Sequence, residues 1–379
     1  MAHNNHTHLH GQDLPKVLQL LPNPCFALVE ANNSHKFHFL KAWVSPLPQD
    51  QFLETQAGSV QVLLSSAIGP PITAQILHLL PSLKLLVTIS AGLDHVDLAE
   101  CRARGVAIAS ASKIFAEDVA DVAAGLLLDV MRNISASDRF VRDGFWVSKG
   151  DFALGSKVGG KRVGIVGLGN IGLEVAKRLE AFGCSILYNS RKKKPFVSYP
   201  FFPDVCELAA NSDVLVICCG LNAQTHHMIN KKVLLALGRE GVIVNVGRGA
   251  IIDEKEMVQC LVRGEIGGAG LDVFENEPHV PKELFALDNV VLSPHQAALT
   301  PECFTALSEL VIGNLEAFFS NKPLLSQSML LSVLTPLTCR NCGAAIANAR
   351  NVFCEDVAYV PVGIAYSRAK KDFGFLVDM

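Results

Sequence analysis

The chain has 379 residues, of which half are hydrophobic and 18% are charged, and its formal net charge is -3. This length allows two domains with hydrophobic cores. A charge near zero without a long basic run argues against nucleic acid as the main ligand, and no apolar run is long enough to cross a bilayer. We therefore expect a soluble globular protein whose partner is a small molecule.

The N-terminal 13 residues contain four histidines among Asn and Thr and have too little apolar surface to pack, which predicts a disordered tail. A metal site is the alternative interpretation, but the tail lacks a second cluster of ligands. The apolar run that follows is short and stops at Pro22, so no secretory signal is indicated. Eleven cysteines lie mostly in apolar segments, which indicates a reducing compartment and a cytoplasmic protein.

Residues 16–112 alternate short apolar runs with segments of helical periodicity. The apolar runs predict strands at residues 17–20, 37–40, 60–64, 85–89 and 106–108. The helical spacing predicts helices at residues 72–80 and 96–104. This alternation is typical of a small α/β domain.

The segment Ser-Ala-Gly-Leu-Asp-His at residues 90–95 follows the fourth predicted strand. Ligands of α/β sheets bind beyond the carboxyl ends of the strands, and Gly92 can present bare backbone amides there. The alternative is an ordinary strand-to-helix turn, with Asp94 or Asp97 near the start of the next helix. This segment alone leaves both interpretations open.

A long helix is predicted over residues 113–131. An apolar stripe recurs there at helical spacing, and Glu117 and Asp118 lie in the first turns, where acidic side chains favour a helix start. The helix leads into the second domain. Residues 141–156 are polar and aromatic, include Trp146, and are predicted to be connecting structure.

Residues 161–172 combine a short apolar strand, a G-x-G-x-x-G turn and the start of a helix that runs to residue 182. In such a turn Gly167 makes the tight bend, Gly169 lets the backbone approach a pyrophosphate, and Gly172 lets the helix pack close to the strand. Asn170 and Ile171 begin the helix, whose amides and dipole favour an anion. A glycine-rich turn of another α/β protein is the alternative, but strand, turn and helix together predict dinucleotide binding.

Five further apolar runs follow the glycine turn, and their β-branched composition is typical of parallel strands that are buried on both faces. They occupy residues 185–188, 214–217, 242–246, 268–271 and 290–292. We therefore predict a doubly wound parallel sheet, in which ligands meet the residues that follow the strands.

Polar side chains follow three of these runs. Arg248 lies between two glycines after the third run, Asp272 and Glu277 follow the fourth, and His295 follows the fifth. Taken singly, each is more often a solvated or structural side chain. At three successive strand ends beside a dinucleotide fold, they predict an active site.

The chain resembles the D-2-hydroxyacid dehydrogenase family, and within it the plant glyoxylate/hydroxypyruvate and hydroxyphenylpyruvate reductases. The resemblance covers residues 14–325. It rests on the glycine turn, Val-Gly-Arg-Gly at 246–249, Gly-Leu-Asp-Val-Phe at 270–274, Glu-Pro at 277–278 and Ser-Pro-His at 293–295.

The resemblance implies that Arg248, Glu277 and His295 are catalytic and that Asp272 helps to place the nicotinamide side of the cofactor. These residue types suit the reduction of a 2-oxo acid. His295 can deliver a proton to the carbonyl oxygen, and Glu277 can favour the charged imidazolium and orient the ring. Arg248 can hold the substrate carboxylate with two parallel hydrogen bonds and stabilise the developing negative charge.

The resemblance also implies an architecture. A doubly wound Rossmann cofactor domain at residues 113–295 would face a smaller flavodoxin-like α/β substrate domain built from residues 14–112 and 296–325. The turn at Ala91 and Gly92 would contact the substrate carboxylate in the cleft between them. A homodimer is also implied.

The end of the second strand in the cofactor domain departs from the NAD-using members, which carry an acid there to hold the ribose hydroxyls. Here Asn189 is followed by Ser190, Arg191, Lys192 and two more lysines. A hydroxyl and a planar guanidinium fork suit a 2′-phosphate, which an acid would repel. We therefore predict NADPH as the preferred cofactor and NADH as the weaker one, with a solvated basic loop as the alternative.

Residues 326–379 have no counterpart in the family and are interpreted as an appended or mis-spliced extension. Cys339, Cys342 and Cys354 lack a fourth zinc ligand, so no metal site is predicted there or elsewhere in the chain.

Two alternatives remain for the function. The fold could serve a dinucleotide-sensing corepressor, although the complete set of Arg248, Glu277 and His295 favours an enzyme. Another specificity, such as that of a phosphoglycerate or formate dehydrogenase, is the second alternative, and the former usually carries a regulatory domain that residues 326–379 do not resemble. The preferred 2-oxo acid depends on the shape of the cleft.

Overall fold

The computed structural model describes residues 14–111 and 113–328. The predicted tail at residues 1–13 lies outside these ranges. So does the predicted extension from residue 329 onward, with its three cysteines.

Five parallel strands form the sheet of the first domain, as the apolar runs predict. They are β1 (Lys16–Gln19), β2 (His38–Lys41), β3 (Val62–Ser65), β4 (Leu85–Thr88) and β5 (Ala107–Ser110). Their order across the sheet is β2-β1-β3-β4-β5, which is the flavodoxin-like order. All residues of β3 and β4 are buried, because the helices of a parallel α/β sheet cover both of its faces.

Four helices accompany this sheet. They are α1 (Pro24–Asn33), α2 (Gln49–Gln56), α3 (Ala74–His78) and α4 (Leu98–Ala103). The sequence predicts α3 and α4 but not α1, because Pro22 and Pro24 resemble a break. In the structure Pro24 occupies the first turn of α1, where a missing N–H costs little, and the Asn23 side chain accepts a hydrogen bond from the Cys25 amide at 2.9 Å.

The long helix α5 (Ala116–Arg132) joins the two domains and carries Glu117 and Asp118 in its first turn, as predicted. The prediction of connecting structure at residues 141–156 is partly wrong. Two helices, α6 (Ile134–Arg142) and α7 (Phe145–Lys149), occupy part of it. Only Ala136 of the two helices is buried, so neither helix packs into a hydrophobic core.

Six parallel strands form the sheet of the second domain. They are β6 (Arg162–Val166), β7 (Ser185–Asn189), β8 (Val214–Ile217), β9 (Val242–Asn245), β10 (Gly268–Leu271) and β11 (Val290–Leu292). Their order is β11-β10-β9-β8-β6-β7. A parallel bridge from Tyr188 to Phe201 extends the β7 edge, and with this addition the order is that of dinucleotide-binding folds. The predicted doubly wound parallel sheet is confirmed.

Four helices cover the second sheet. They are α8 (Asn170–Ala181), α9 (Val205–Ala210), α10 (Lys231–Leu237) and α11 (Glu254–Val262). The interdomain helix α5 packs against α8, β9 and β10. One hydrophobic core therefore runs from the first sheet through α5 into the second sheet, and each sheet has a further core of its own.

The last helix, α12 (Pro301–Phe319), returns to the first domain and packs on α1. Beyond it, Gln327 forms an antiparallel bridge with Ala109 of β5, and the Ser328 amide donates to the Ile108 carbonyl at 2.8 Å. Pairing with the sheet thus continues to residue 328. No helix among the described residues is long and apolar enough to span a membrane.

Candidate active site

The three glycines of the turn after β6 have three different surroundings. Gly167 has φ +98°, and a Cβ atom there would lie 2.6 Å from Cα of Cys219. A Cβ atom at Gly172 would lie 2.3 Å from the Gly167 carbonyl oxygen, whereas one at Gly169 would have no described atom within 4 Å. These are the tight bend, the close packing and the open approach that a bound pyrophosphate needs. Because α8 begins at Asn170 without a side-chain cap, its first amides can donate to an anion.

A groove of about 730 Å³ runs from this turn to the end of β7. Its lining includes Gly167, Gly169, Ser190, Arg191 and Lys192. The predicted phosphate-reading residues therefore face the same groove as the glycine turn. The structure fits a dinucleotide extended along it.

Two hydrogen bonds fix the shape of the basic segment after β7. The Lys194 amide donates to the hydroxyl of buried Tyr188 at 2.7 Å, and the Ser190 hydroxyl donates to the Lys192 carbonyl. Asp204 also lines the groove, an acid that the sequence analysis did not consider. Its carboxylate caps α9 by accepting from the Glu207 amide at 2.9 Å.

His295 and Glu277 form a hydrogen-bonded pair, with 2.7 Å between Nδ1 of the ring and Oε2 of the carboxylate. The other carboxylate oxygen accepts from the Phe274 amide at 3.0 Å. Burial alone would raise the pKa of Glu277, but the hydrogen bonds from His295 and Phe274 hold this pKa below its ordinary value. Glu277 is thus a carboxylate that fixes the ring, and Nε2 of His295 makes no hydrogen bond to a described residue.

Asp272 organises the turn that carries His295. Its carboxylate is buried and accepts from the Ser293 hydroxyl at 2.5 Å, the Gln296 amide at 3.0 Å and the Ala297 amide at 3.1 Å. Its carbonyl accepts from the His295 amide at 2.8 Å. These bonds hold His295 at φ 52°, a left-handed conformation that is uncommon outside glycine. The predicted cofactor role of Asp272 stays a prediction.

Arg248 is held by the loop that follows β9. Asn245, buried at the end of β9, accepts from the Gly247 amide at 3.0 Å and donates to the Arg248 carbonyl at 3.0 Å. Nη1 of Arg248 donates to the Gly247 carbonyl at 2.8 Å. Asn245 was not predicted as a site residue, although a polar residue at the end of an apolar strand can be recognised in the sequence.

The predicted substrate turn lies beside Arg248. Nε of Arg248 donates to Oδ2 of Asp94 at 3.2 Å. A Cβ atom at Gly92 would lie 2.9 Å from Nη2 of Arg248 and 2.5 Å from Oδ1 of Asp94. A side chain at residue 92 would therefore have to displace the ends of the Asp94 and Arg248 side chains. The contact of this turn with a substrate carboxylate stays a prediction.

A cleft of about 330 Å³ lies between the domains and brings these groups together. The polar side chains of its lining are those of Asn23, Ser66, Ser90, Arg248, Asp272 and His295, and Ala91 of the predicted substrate turn also lines it. Its apolar walls come from both domains and include Ile68, Phe115, Ile171, Leu299 and Phe304. Such a site can hold a small anion beside a proton donor.

His227 binds Glu275 and so stabilises the segment that carries Glu277. Nε2 of His227 lies 2.8 Å from Oε1 of Glu275, and the Glu275 amide donates to Glu254 at 3.0 Å. Within the described ranges, His226, His227 and Glu275 place possible ligand atoms within 4.8 Å of one another. Since His227 is already bonded to Glu275, we interpret this group as a structural brace.

The family model of the D-isomer specific 2-hydroxyacid dehydrogenase NAD binding domain matches residues 124–297. The glyoxylate/hydroxypyruvate reductase HPR3 of Arabidopsis thaliana is 60% identical over 256 residues, which cover 68% of this chain and 79% of that protein. The hydroxyphenylpyruvate reductase of Plectranthus scutellarioides is 47% identical over 307 residues, which cover 81% of this chain and 97% of that protein.

Among solved structures, the NADPH-dependent glyoxylate/hydroxypyruvate reductase of Sinorhizobium meliloti in complex with NADP and malonate superposes with a TM-score of 0.77 at 34% identity. The match covers 84% of this chain and 97% of that one. The predicted family and two-domain α/β fold are both confirmed. The chain belongs to the D-isomer specific 2-hydroxyacid dehydrogenase family and is an oxidoreductase with a dinucleotide-binding Rossmann domain.

Proposed function

We propose that the protein is an NADPH-preferring reductase that converts small 2-oxo acids, with glyoxylate and hydroxypyruvate as first candidates, into D-2-hydroxy acids. The observation that carries this proposal is that His295, which forms a 2.7 Å pair with Glu277, lines the same cleft as Arg248. The names of the Arabidopsis and Sinorhizobium relatives support the substrate class.

Three side chains at the cleft have tasks in this reaction. The cofactor, when bound, supplies the hydride. His295, oriented through Nδ1, keeps Nε2 for the carbonyl oxygen of the substrate and delivers the proton. Glu277 holds the ring in the orientation that this step needs. Arg248 holds the substrate carboxylate and stabilises the charge that develops on the oxygen.

The preference for NADPH is supported by the groove that Ser190, Arg191 and Lys192 share with the glycine turn. A 2′-phosphate at the end of β7 would meet a hydroxyl and a guanidinium. Asp204 lies in the same groove, but its carboxylate is engaged at the start of α9. Arg191, Lys192 and Lys194 outnumber this one acid in the lining, so the net charge of the groove is positive.

Turnover is the direct test. Oxidation of NADPH and of NADH would be followed by absorbance with glyoxylate, hydroxypyruvate and hydroxyphenylpyruvate. We expect turnover with a higher kcat/KM for NADPH than for NADH. Absence of turnover with all three acids would favour the sensing role, and a higher kcat/KM for NADH would remove the cofactor preference.

We further propose a cytoplasmic homodimer. The eight cysteines of the described residues are all free, and five of them are buried, which suits a reducing compartment. Exposed apolar side chains cluster between residues 134 and 154, where Val147 and Leu154 are 96% and 98% exposed. Such an exposed apolar patch is expected to be covered by a second copy of the chain.

The proposed cytoplasmic location is tested by microscopy of the full-length chain carrying a fluorescent tag.

A further inference from the structure

An ion pair crosses the cleft between the two domains. Asp94 lies in the loop after β4 of the substrate domain, and Arg248 follows β9 of the cofactor domain. Nε of Arg248 lies 3.2 Å from Oδ2 of Asp94, and the two side chains are only 21% and 23% exposed. The pair is therefore partly shielded from water, where a charge-assisted hydrogen bond is stronger than at an open surface.

The three nitrogens of the Arg248 guanidinium have different surroundings. Nε is bonded to Asp94 and Nη1 to the Gly247 carbonyl. Nη2 makes no hydrogen bond within residues 14–111 and 113–328 and lies where a side chain at Gly92 would stand. Because the guanidinium is planar, fixing Nε and Nη1 also fixes the direction of Nη2.

The other charged or titratable groups around Asp94 have different tasks. The carboxylate of Asp97 caps α4 by accepting from the Glu100 amide at 2.9 Å. The His95 ring is buried and lies 3.2 Å from the Thr88 hydroxyl. Burial lowers the pKa of His95, although the Asp94 charge opposes this shift. His95 is therefore neutral at pH 7, and Arg248 is the cation beside Asp94.

We propose that Asp94 is a positioning residue that holds Arg248 so that Nη2 faces a substrate carboxylate at the Ala91 and Gly92 turn. This inference rests on the proposed function and deepens it. Because the pair joins the two domains, it also fixes the position of Arg248 of the cofactor domain relative to the Ala91 and Gly92 turn of the substrate domain. An acid of the substrate domain thus sets the geometry of an arginine of the cofactor domain.

The test compares Asp94→Asn with Asp97→Asn, which makes the same acid-to-amide change three residues away and keeps a good helix cap. We expect Asp94→Asn to raise KM for glyoxylate and hydroxypyruvate about tenfold or more while kcat falls much less and KM for NADPH is unchanged. Asp97→Asn should behave as wild type. A general structural defect would instead change KM for NADPH and the melting temperature.

A double-mutant cycle shows whether Asp94 acts through Arg248. In an Arg248→Lys background, Asp94→Asn should change KM for glyoxylate less than about twofold, because the guanidinium group that Asp94 orients is no longer present. Equal effects of Asp94→Asn in both backgrounds would overturn the inference.

Binding of oxamate, a non-reducible analogue of a 2-oxo acid, separates this inference from the proposed reductase function. Titration calorimetry on the NADPH-loaded protein should give a weaker Kd for Asp94→Asn than for wild type or Asp97→Asn. If the wild type does not turn over but this difference appears, the positioning role stands and the proposed function fails. If the wild type does not bind oxamate, or all three proteins bind it equally, the positioning role is wrong.

Discussion

The catalytic geometry depends on side chains that hold other side chains. His295 is placed by hydrogen bonds to buried Asp272 and oriented by Glu277. Arg248 is placed by Asn245, which is also buried. A proton donor and an anion holder thus occupy fixed positions before substrate arrives, which reduces the cost of organising them during the reaction.

The role of His295 predicts a large loss of rate. We expect His295→Ala to lower kcat by about a hundredfold or more, because the proton donor is lost. His279→Ala is the matched control, since His279 is an exposed histidine two residues after Glu277. Steady-state kinetics with glyoxylate measures both. Near-normal kcat in His295→Ala would exclude His295 as the donor.

The basic segment after β7 predicts cofactor selectivity. Arg191→Ala should lower kcat/KM for NADPH about ten- to a hundredfold through loss of a charge-assisted hydrogen bond, and change that for NADH little. Lys193→Ala is the control, because Lys193 is absent from the residues that line the groove. Equal losses with both cofactors would show that Arg191 does not contact the 2′-phosphate.

At the scale of elements, the strand-turn-helix unit from β6 to α8 separates a packing position from a ligand position. Gly172 lies against the backbone of Gly167, whereas Gly169 faces open space. A methyl group added at Gly172 would have to displace the backbone of Gly167, whereas one added at Gly169 would contact only a bound ligand. The same motif therefore serves stability at one glycine and binding at another.

This difference predicts that a glycine-to-alanine substitution lowers stability at residue 172 and weakens cofactor binding at residue 169. Gly172→Ala should lower the free energy of unfolding by about 1–3 kcal/mol, because the extra methyl group has no room. Gly169→Ala should leave the melting temperature near that of wild type but weaken NADPH binding. Thermal unfolding and titration of cofactor fluorescence distinguish the two variants. Equal melting temperatures would contradict the packing role of Gly172.

At the scale of the whole molecule, the last described residues complete the first sheet. The Ser110 amide donates to the Ser326 carbonyl at 3.1 Å, and the Ser328 hydroxyl donates to the Ser110 hydroxyl at 2.9 Å. The described residues therefore still pair with the edge strand β5 three residues beyond the boundary at residue 325 that the sequence predicts for the substrate domain.

Two truncations test where the required chain ends. A chain that stops after residue 328 should be folded and active. A chain that stops after residue 325 should be about 1–3 kcal/mol less stable, because it loses the hydrogen bonds to β5. Urea unfolding and glyoxylate turnover measure both. Insolubility of the 328-residue chain would show that residues 329–379 are structural.

The proposed homodimer predicts a second test at this scale. Val147→Glu places a charge on the exposed apolar patch and should shift the mass in solution from dimer to monomer. Phe285→Glu is the control, because Phe285 is 64% exposed but lies outside the patch. Light scattering after size exclusion measures the mass. A wild-type protein with the mass of a monomer would contradict the proposed homodimer.

The strand segments of both sheets, the glycine turn and the polar residues after β9, β10 and β11 could all be predicted from the sequence. Buried parallel strands are short apolar runs, and a parallel sheet brings their carboxyl ends to one edge. These signals are local in the chain. The helices α6 and α7 were not predicted. α7 has five residues, which are too few to show helical periodicity, and α6 buries only Ala136.

The family, the two-domain architecture and the candidates Arg248, Glu277 and His295 could be inferred from the residues alone. The side chains that hold these candidates are visible only in the folded chain, and they are Asp94, Asn245 and the Ser293 hydroxyl that binds Asp272. Asp94 and Arg248 lie 154 positions apart in the chain. Their contact exists because two separate sheets present their strand ends to one cleft, and no local pattern encodes that distance.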